Sequence, residues 1–135
     1  MKKIAIIIAS HQGLAQALTI HRELPETELF YAGEGQENPC TSIDSIPAFV
    51  AANFTRYEGL VFIGALGICV RAIAPCIHSK YTDPAVVNID STGKHVISVL
   101  SGHVGGANEL TRRLASILGA DPVITTQSDN NDLWA

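Results

Sequence analysis

Residues 100–108 read L-S-G-H-V-G-G-A-N, with one hydroxyl (Ser101), one imidazole (His103), one amide (Asn108) and three glycines (Gly102, Gly105, Gly106) in nine positions. An imidazole titrates near neutral pH, which makes His103 a candidate general base. A strand that turns into a helix through glycine leaves backbone N–H groups at the positive end of the helix dipole. Such donors suit a carboxylate, a phosphate or a developing oxyanion. Ser101 is a weaker candidate, as a nucleophile. It lies two residues before His103, so on an extended chain both would face one side, but no acid is placed to orient the imidazole. The structural alternatives are a turn or cap for the hydroxyl and a backbone-bonded turn for the imidazole.

A second glycine-bearing junction is G-A-L-G at residues 64–67, where Gly64 and Gly67 flank the start of a short apolar segment. Arg71 is the one charged residue within residues 60–77. A guanidinium keeps its proton, so burying it alone would cost several kcal/mol, on the order of the ~3–5 kcal/mol lost when a buried pair is broken. Arg71 must reach a protein carboxylate, a ligand carboxylate or solvent. The polar segment 78–84 gathers Lys80, Tyr81 and Asp83, and the last apolar run delivers Thr125, Thr126 and Asp129. Ser10 and His11 stand where the first apolar run ends. His11, His78 and His95 have no metal-ligand spacing, and no protein-held metal is expected.

The elements that position these residues follow from hydrophobic periodicity. Residues 3–10 are continuously apolar and Ile-rich, as a strand buried on both faces would be. Leu14–Glu23 is helical in pattern, Glu28–Ala32 extended, and residues 33–41 polar and glycine-bearing, hence a loop. A helix is predicted over 46–56, capped by Asp44 or Ser45 with Pro47 in its first turn. Residues 57–64 make a strand, and 68–74 a helix stopped by Pro75. The runs 85–90 and 94–100, joined by S-T-G, predict a hairpin with Asp90 at its tip. The helix Ala107–Leu118 follows, then Gly119 as C-cap and a last strand over 123–126. Arg112 and Arg113 read as the solvent face of that helix. This order predicts one α/β domain, a mostly parallel sheet flanked by helices in a three-layer sandwich with one β-hairpin.

Composition narrows the function classes. A 47% hydrophobic, 16% charged chain of 135 residues supports one packed core. The net charge is −4 and no Lys/Arg cluster occurs, which argues against nucleic acid and anionic membranes as partners. Three cysteines without a C-x-x-C pair point to a reducing, cytoplasmic compartment. No dinucleotide fingerprint and no Walker lysine is present, which argues against a generic nucleotide-binding module.

The strings G-A-L-G-I-C-V-R-A-I-A-P (64–75), K-Y-T-D-P-A-V-V-N-I-D (80–90), I-S-V-L-S-G-H-V-G-G-A-N (97–108) and P-V-I-T-T-Q-S-D (122–129) together resemble the CbiG family of cobalamin-biosynthesis proteins. The resemblance covers nearly the whole chain and is strongest over 59–129. It implies cobalt-precorrin-5A hydrolase activity in the anaerobic pathway: the ring-A δ-lactone opens and acetaldehyde leaves, giving cobalt-precorrin-5B. It further implies that cobalt arrives inside the substrate, with no cofactor of the protein's own. A C-terminal domain of the family, or a fused biosynthetic enzyme, would lie outside this sequence.

For such a flat, carboxylate-ringed macrocycle, Arg71 is expected as a clamp and Lys80 as a further cation. Gly64, Gly67, Gly102, Gly105, Gly106, Asn108, Thr125 and Thr126 are expected to line its site. His103 would be the base, with Ser101 or Asp83 as further catalytic groups. This reading requires the two glycine bends to face one shared hollow. The alternative is a non-catalytic corrinoid-recognition domain of a larger polypeptide.

Overall fold

A computed structural model describes residues 3–34 and 39–126. The strands are β1 (Ile4–Ile8), β2 (Glu28–Ala32), β3 (Cys40–Ile43), β4 (Gly59–Ile63), β5 (Ala85–Ile89), β6 (His95–Leu100) and β7 (Asp121–Val123). The helices are α1 (Leu14–Glu23), α2 (Ile46–Asn53), α3 (Leu66–Ile73) and α4 (Ala107–Leu118). All seven strands form one sheet in the order β3-β2-β1-β4-β5-β6-β7. Strands β1 to β5 are mutually parallel, β6 runs antiparallel to β5, and β7 is parallel to β6. The expected three-layer α/β sandwich with one hairpin is what forms.

The continuous apolar run of β1 has its cause in this layering. Ile6 and Ile8 pack toward α1 and α4, with Ala17, Ile20, Leu114 and Ala115. Ala5 and Ile7 pack toward α2 and α3, with Val50, Cys69, Ala72 and Ile73. Helix α4 turns one stripe inward, Ala107, Asn108, Thr111, Leu114 and Ala115, at the spacing a half-buried helix needs. It ends at Gly119 (φ 67), where the Ala120 N–H reaches back to the Ala115 carbonyl at 2.9 Å. Ser45 caps α2 by accepting the Ala48 N–H at 3.2 Å.

Several expected boundaries shift, among them the start of α3, at Leu66 rather than residue 68. Cys40 and Thr41, expected in the loop 33–41, begin the edge strand β3, which pairs with β2 from Leu29↔Cys40 onward. An edge strand needs only one partner and one buried residue in two, so polar Thr41 and Ser42 face solvent without cost. Helix α2 stops at Asn53 rather than at residue 56. The last strand pairs over Asp121–Val123, earlier than the expected 123–126, and Thr125 and Thr126 follow it as irregular chain. Asp129 lies outside the described residues.

Candidate active site

The antiparallel turn of β6 decides where the reactive loop lies. Leu100 pairs with Val86, which stands level with Leu60 near the start of β4. The loop 101–106 therefore leaves the sheet at the amino end of the parallel strands. Gly64 leaves β4 at the carboxyl end, four residues away along the strand, or about 13 Å at ~3.3 Å per residue.

At the amino end, Ser101 is buried and takes φ 60, the one left-handed non-glycine among the described residues. Such backbone costs roughly 1–3 kcal/mol and persists where surrounding contacts over-determine it. Those contacts are visible. The Ser101 hydroxyl donates to the Asp83 carbonyl at 3.4 Å. The Ser101 and Gly102 carbonyls accept the Ala107 and Asn108 N–H groups at 3.1 and 3.0 Å. Gly105 presses on the same residue: a Cβ there would lie 2.5 Å from the Ser101 Cβ, so only glycine fits unshifted. Ser98 Oγ donates to the buried Asn108 Oδ1 at 2.7 Å, and Gly102 is packed between Asn108 and Thr126. His103, Val104 and Gly105 are exposed on the outside of this clamped loop. The result is a clamped loop that carries the exposed His103 two residues before Gly105.

Asp83 closes the same end from beneath. Its carboxylate accepts the His78 N–H (2.9 and 3.2 Å to the two oxygens) and the Ser79 N–H at 3.1 Å. Lys80 Nζ stands 5.4 Å from the Tyr81 ring centre in the loop this carboxylate shapes.

At the carboxyl end, β1 and β4 diverge toward helices on opposite faces, the switch point at which ligands gather in open α/β sheets. Ser10 and His11 are exposed there beside Gly64–Gly67. Gly64 takes φ 152, and a Cβ would sit 2.8 Å from the Ala9 Cβ, so this bend too demands glycine. Its carbonyl accepts the Asn88 amide at 3.2 Å. At the hairpin tip Asp90 accepts the Lys94 and His95 N–H groups at 2.9 and 2.7 Å, the turn role expected of it. Among the described residues no three His, Cys, Asp or Glu side chains gather as a metal site.

Residues 48–129 match the family model described as cobalamin synthesis G N-terminal. The chain belongs to this family. It is 48% identical over 135 residues to the cobalt-precorrin-5A hydrolase of Salmonella typhimurium, covering 99% of this chain and 38% of that protein. It is 43% identical over 131 residues to the cobalt-precorrin-5A hydrolase of Priestia megaterium, covering 93% of this chain and 35% of that one. A crystal structure of a cobalamin biosynthesis protein G homolog from Sulfolobus solfataricus superposes with a TM-score of 0.70 at 31% identity, covering 92% of this chain and 37% of that chain. The chain thus spans little more than a third of the length of these relatives.

Within this cobalamin synthesis G N-terminal domain, the expected single hollow between the two glycine bends does not form. Gly64 and Gly67 lie at one end of the strands, and Ser101, Gly102, His103, Gly105, Gly106 and Thr126 at the other. Arg71 projects from the exposed face of α3, and the sheet separates it from α4. The hairpin explains the split, since one antiparallel strand moves its outgoing loop to the opposite end. Asp83 corrects a second expectation: both its oxygens are occupied by backbone donors, which makes it a loop-shaping group rather than a base. Asn108 corrects a third, because its buried carbonyl oxygen is bound to Ser98 and supports the loop from within. Thr125 is exposed, and Thr126 stands against Gly102.

Sequence reading passed over the residues that share a cleft with the loop. A cavity of about 780 Å³ on the α1/α4 side is lined by Gly105, Gly106, Arg112 and Arg113 together with Glu23, Glu58 and Glu109. Helical periodicity put Arg112 and Arg113 on the solvent side of α4, and nothing in the sequence announced Glu23 and Glu58 as their neighbours. Arg112 is bound to Glu109 at 3.1 Å. Three carboxylates against two guanidiniums make this cleft a poor host for an anionic ring. Nor do the core cysteines serve as nucleophiles at neutral pH: burial pushes the Cys69 thiol up to about 12 and raises that of Cys40.

Proposed function

We propose that this chain forms the N-terminal part of a cobalt-precorrin-5A hydrolase of anaerobic cobalamin biosynthesis, a cytoplasmic enzyme that opens the ring-A δ-lactone and releases acetaldehyde to give cobalt-precorrin-5B. The observation that carries this reading is the loop 101–106. It carries an exposed His103 two and three residues before Gly105 and Gly106, and is braced by a strained Ser101, a buried Asn108 and a packed Gly102. Two relatives at 48% and 43% identity bear the name of that activity.

The chemistry needs a base, an oxyanion donor and a carboxylate-binding surface. His103 takes a proton from water as it attacks the lactone carbonyl. The N–H groups of Gly105 and Gly106 face the oxygen on which charge then develops; one such donor is worth about 2.7–4 kcal/mol. Opening frees a hydroxyl, whose deprotonation by the same imidazole breaks the adjacent carbon–carbon bond and expels acetaldehyde. The electron pair left on the macrocycle takes up a proton. Cobalt enters as part of the substrate, and these steps call on no cofactor held by the protein. The acid-rich cleft behind Gly105 does not suit the carboxylate-ringed substrate, so the macrocycle lies on the outer side of the loop and is completed by polypeptide beyond this domain.

The test uses a chimera in which this chain replaces its 48%-identical counterpart in the Salmonella relative. Acetaldehyde release from cobalt-precorrin-5A is measured beside corrinoid binding, read from the absorbance of the macrocycle. His103→Ala is expected to lower turnover about 100-fold or more while binding persists. Full turnover in His103→Ala removes the loop from the chemistry. Loss of binding alone turns the domain into a recognition module.

A further inference from the structure

Exposed apolar side chains scattered singly over a domain need no explanation. Two of them here converge. Tyr81 and Val104, at 71% and 49% exposure, are the most exposed of the large apolar side chains among the described residues. The fold joins their loops: the Ser101 hydroxyl donates to the Asp83 carbonyl, with Tyr81 two residues before Asp83 and Val104 three after Ser101. At ~3.3–3.6 Å per residue, Tyr81 is at most about 7 Å of chain from that bond and Val104 about 11 Å. Both loops are held by their own hydrogen bonds. The Ser79 carbonyl accepts the Thr82 and Asp83 N–H groups at 3.1 and 2.8 Å, and the Ser79 hydroxyl accepts the Tyr81 N–H at 3.2 Å. Across the Ser101–Asp83 bond, the Ser101 and Gly102 carbonyls hold the first turn of α4. Asp83 is buried, with its carboxylate turned to backbone N–H groups, so Lys80 carries the exposed formal charge on residues 77–83 and 101–106. Its Nζ stands 5.4 Å from the centre of the Tyr81 ring.

We propose that Tyr81 and Val104 form the apolar seat on which one face of the corrinoid macrocycle rests, with Lys80 meeting a carboxylate on its rim. This rests on the hydrolase reading above and adds substrate-contacting residues to it. The chemistry of the macrocycle selects the place. Its middle is flat and apolar and its edge carries carboxylates, so its seat must be apolar at the centre and cationic at the border. Tyrosine offers a broad apolar ring with few torsions to freeze. Lys80 brings the charge that complements the rim. The cleft behind Gly105 offers the reverse, with Glu23, Glu58 and Glu109 among its walls. His103 immediately precedes Val104, so a macrocycle seated on Val104 comes to rest against the loop that carries the imidazole. Loops already held in place lose little freedom when the macrocycle settles on them.

The Salmonella chimera tests this with two measurements. One is the Kd for the product macrocycle, cobalt-precorrin-5B, which is not consumed; the other is KM and kcat for acetaldehyde release from cobalt-precorrin-5A. Tyr81→Ala is expected to raise Kd about tenfold, the scale of one lost aromatic contact, with the effect falling on KM rather than on kcat. Tyr81→Phe keeps the ring and is expected to restore Kd to within twofold of the parent. Val104→Asn is expected to raise Kd several-fold, and Lys80→Gln to raise it more at low salt than at high salt. All three positions are exposed, so thermal unfolding of each variant chimera should match that of the parent. An unchanged Kd in both Tyr81→Ala and Val104→Asn overturns the seat, and leaves the hydrolase reading standing where His103→Ala still loses turnover. A fall in kcat at unchanged Kd overturns it too, since Tyr81 then acts on the chemistry and not on binding. A parent chimera that neither binds the macrocycle nor releases acetaldehyde removes the hydrolase reading, and the seat with it.

Discussion

Replacing Gly105 by alanine puts the loop geometry and the chemistry in one measurement. The new Cβ would lie 2.5 Å from the Ser101 Cβ and 2.9 Å from the Ser101 carbonyl oxygen. Carbon atoms in ordinary contact stand ~3.5–4.0 Å apart, so the loop must open by about 1 Å. Because residues 103–105 are exposed, the loop yields outward rather than compressing the core. The stability cost therefore falls near the low end of overpacking, about 1 kcal/mol. His103 is carried along by a similar ~1 Å, a misplacement that can cost about 100-fold in rate. Gly67→Ala is the control from the opposite end of the sheet. Nothing stands within 4 Å of its added Cβ, and Gly67 is not among the left-handed glycines. Alanine for glycine in a helix is stabilising by roughly 0.5–1 kcal/mol, so this variant should melt slightly higher than the parent. Thermal unfolding of the two variants and acetaldehyde release by the corresponding chimeras complete the experiment. A Gly105→Ala chimera within twofold of the parent, beside an inactive Gly67→Ala chimera, would refute the assignment and move the chemistry to the carboxyl end of the strands.

Three further predictions concern what holds the site in place. Asp83→Asn leaves one acceptor oxygen where two now serve the His78 and Ser79 N–H groups, and should cost about 1–3 kcal/mol in unfolding while the pH–rate profile keeps its shape; a displaced profile would return Asp83 to catalysis. A double-mutant cycle of Ser98→Ala with Asn108→Ala should give a coupling of about 1 kcal/mol in urea unfolding, and a coupling of zero would detach Asn108 from Ser98. Tyr57, raised to about 12 by burial and then by its hydrogen bond to Glu28, binds its proton more tightly folded than unfolded. Its contribution to stability is complete below about pH 10 and disappears as pH climbs to about 12. Glu28 is shifted down, first by Tyr57 and then by Lys3, so its share is present above its ordinary 4.5 and is lost as pH falls below that value. Tyr57→Phe should flatten the alkaline decline in urea stability, and parallel declines in the two proteins would contradict this.

Most of the fold could be read from periodicity because most elements have one dominant cause. Leu14–Glu23, Glu28–Ala32 and Ala107–Leu118 form over the expected residues, and β1 announces its two-sided burial by five uninterrupted aliphatic positions. Strand β3 escaped notice because Thr41 and Ser42 carry no apolar signal; its existence depends on the free edge of β2, a tertiary fact. The candidate site divides in the same way. Local chemistry marked Ser101, Gly102, His103, Gly105 and Gly106, and strain and close packing converge on that loop. Which partners meet it depended on strand direction. The hairpin, itself anticipated, carries residue 101 to the end of the sheet away from Gly64, so Arg71 and the carboxyl-end glycines part from His103. Asp83 and Asn108 have side chains suited to catalysis or binding, and only coordinates show their oxygens already occupied by His78, Ser79 and Ser98.

Strand β7 sets a boundary on how the molecule can grow. The Asp121 N–H points inward to the Lys94 carbonyl at 2.8 Å, so by the alternation of a strand the nitrogen of Pro122 points outward, where it has no hydrogen to offer. The rim of the sheet is blunted at the very position where a further strand would add. A strand added along that border would forgo the hydrogen bond Pro122 cannot donate, whereas a layer stacked on the sheet's faces meets no such loss.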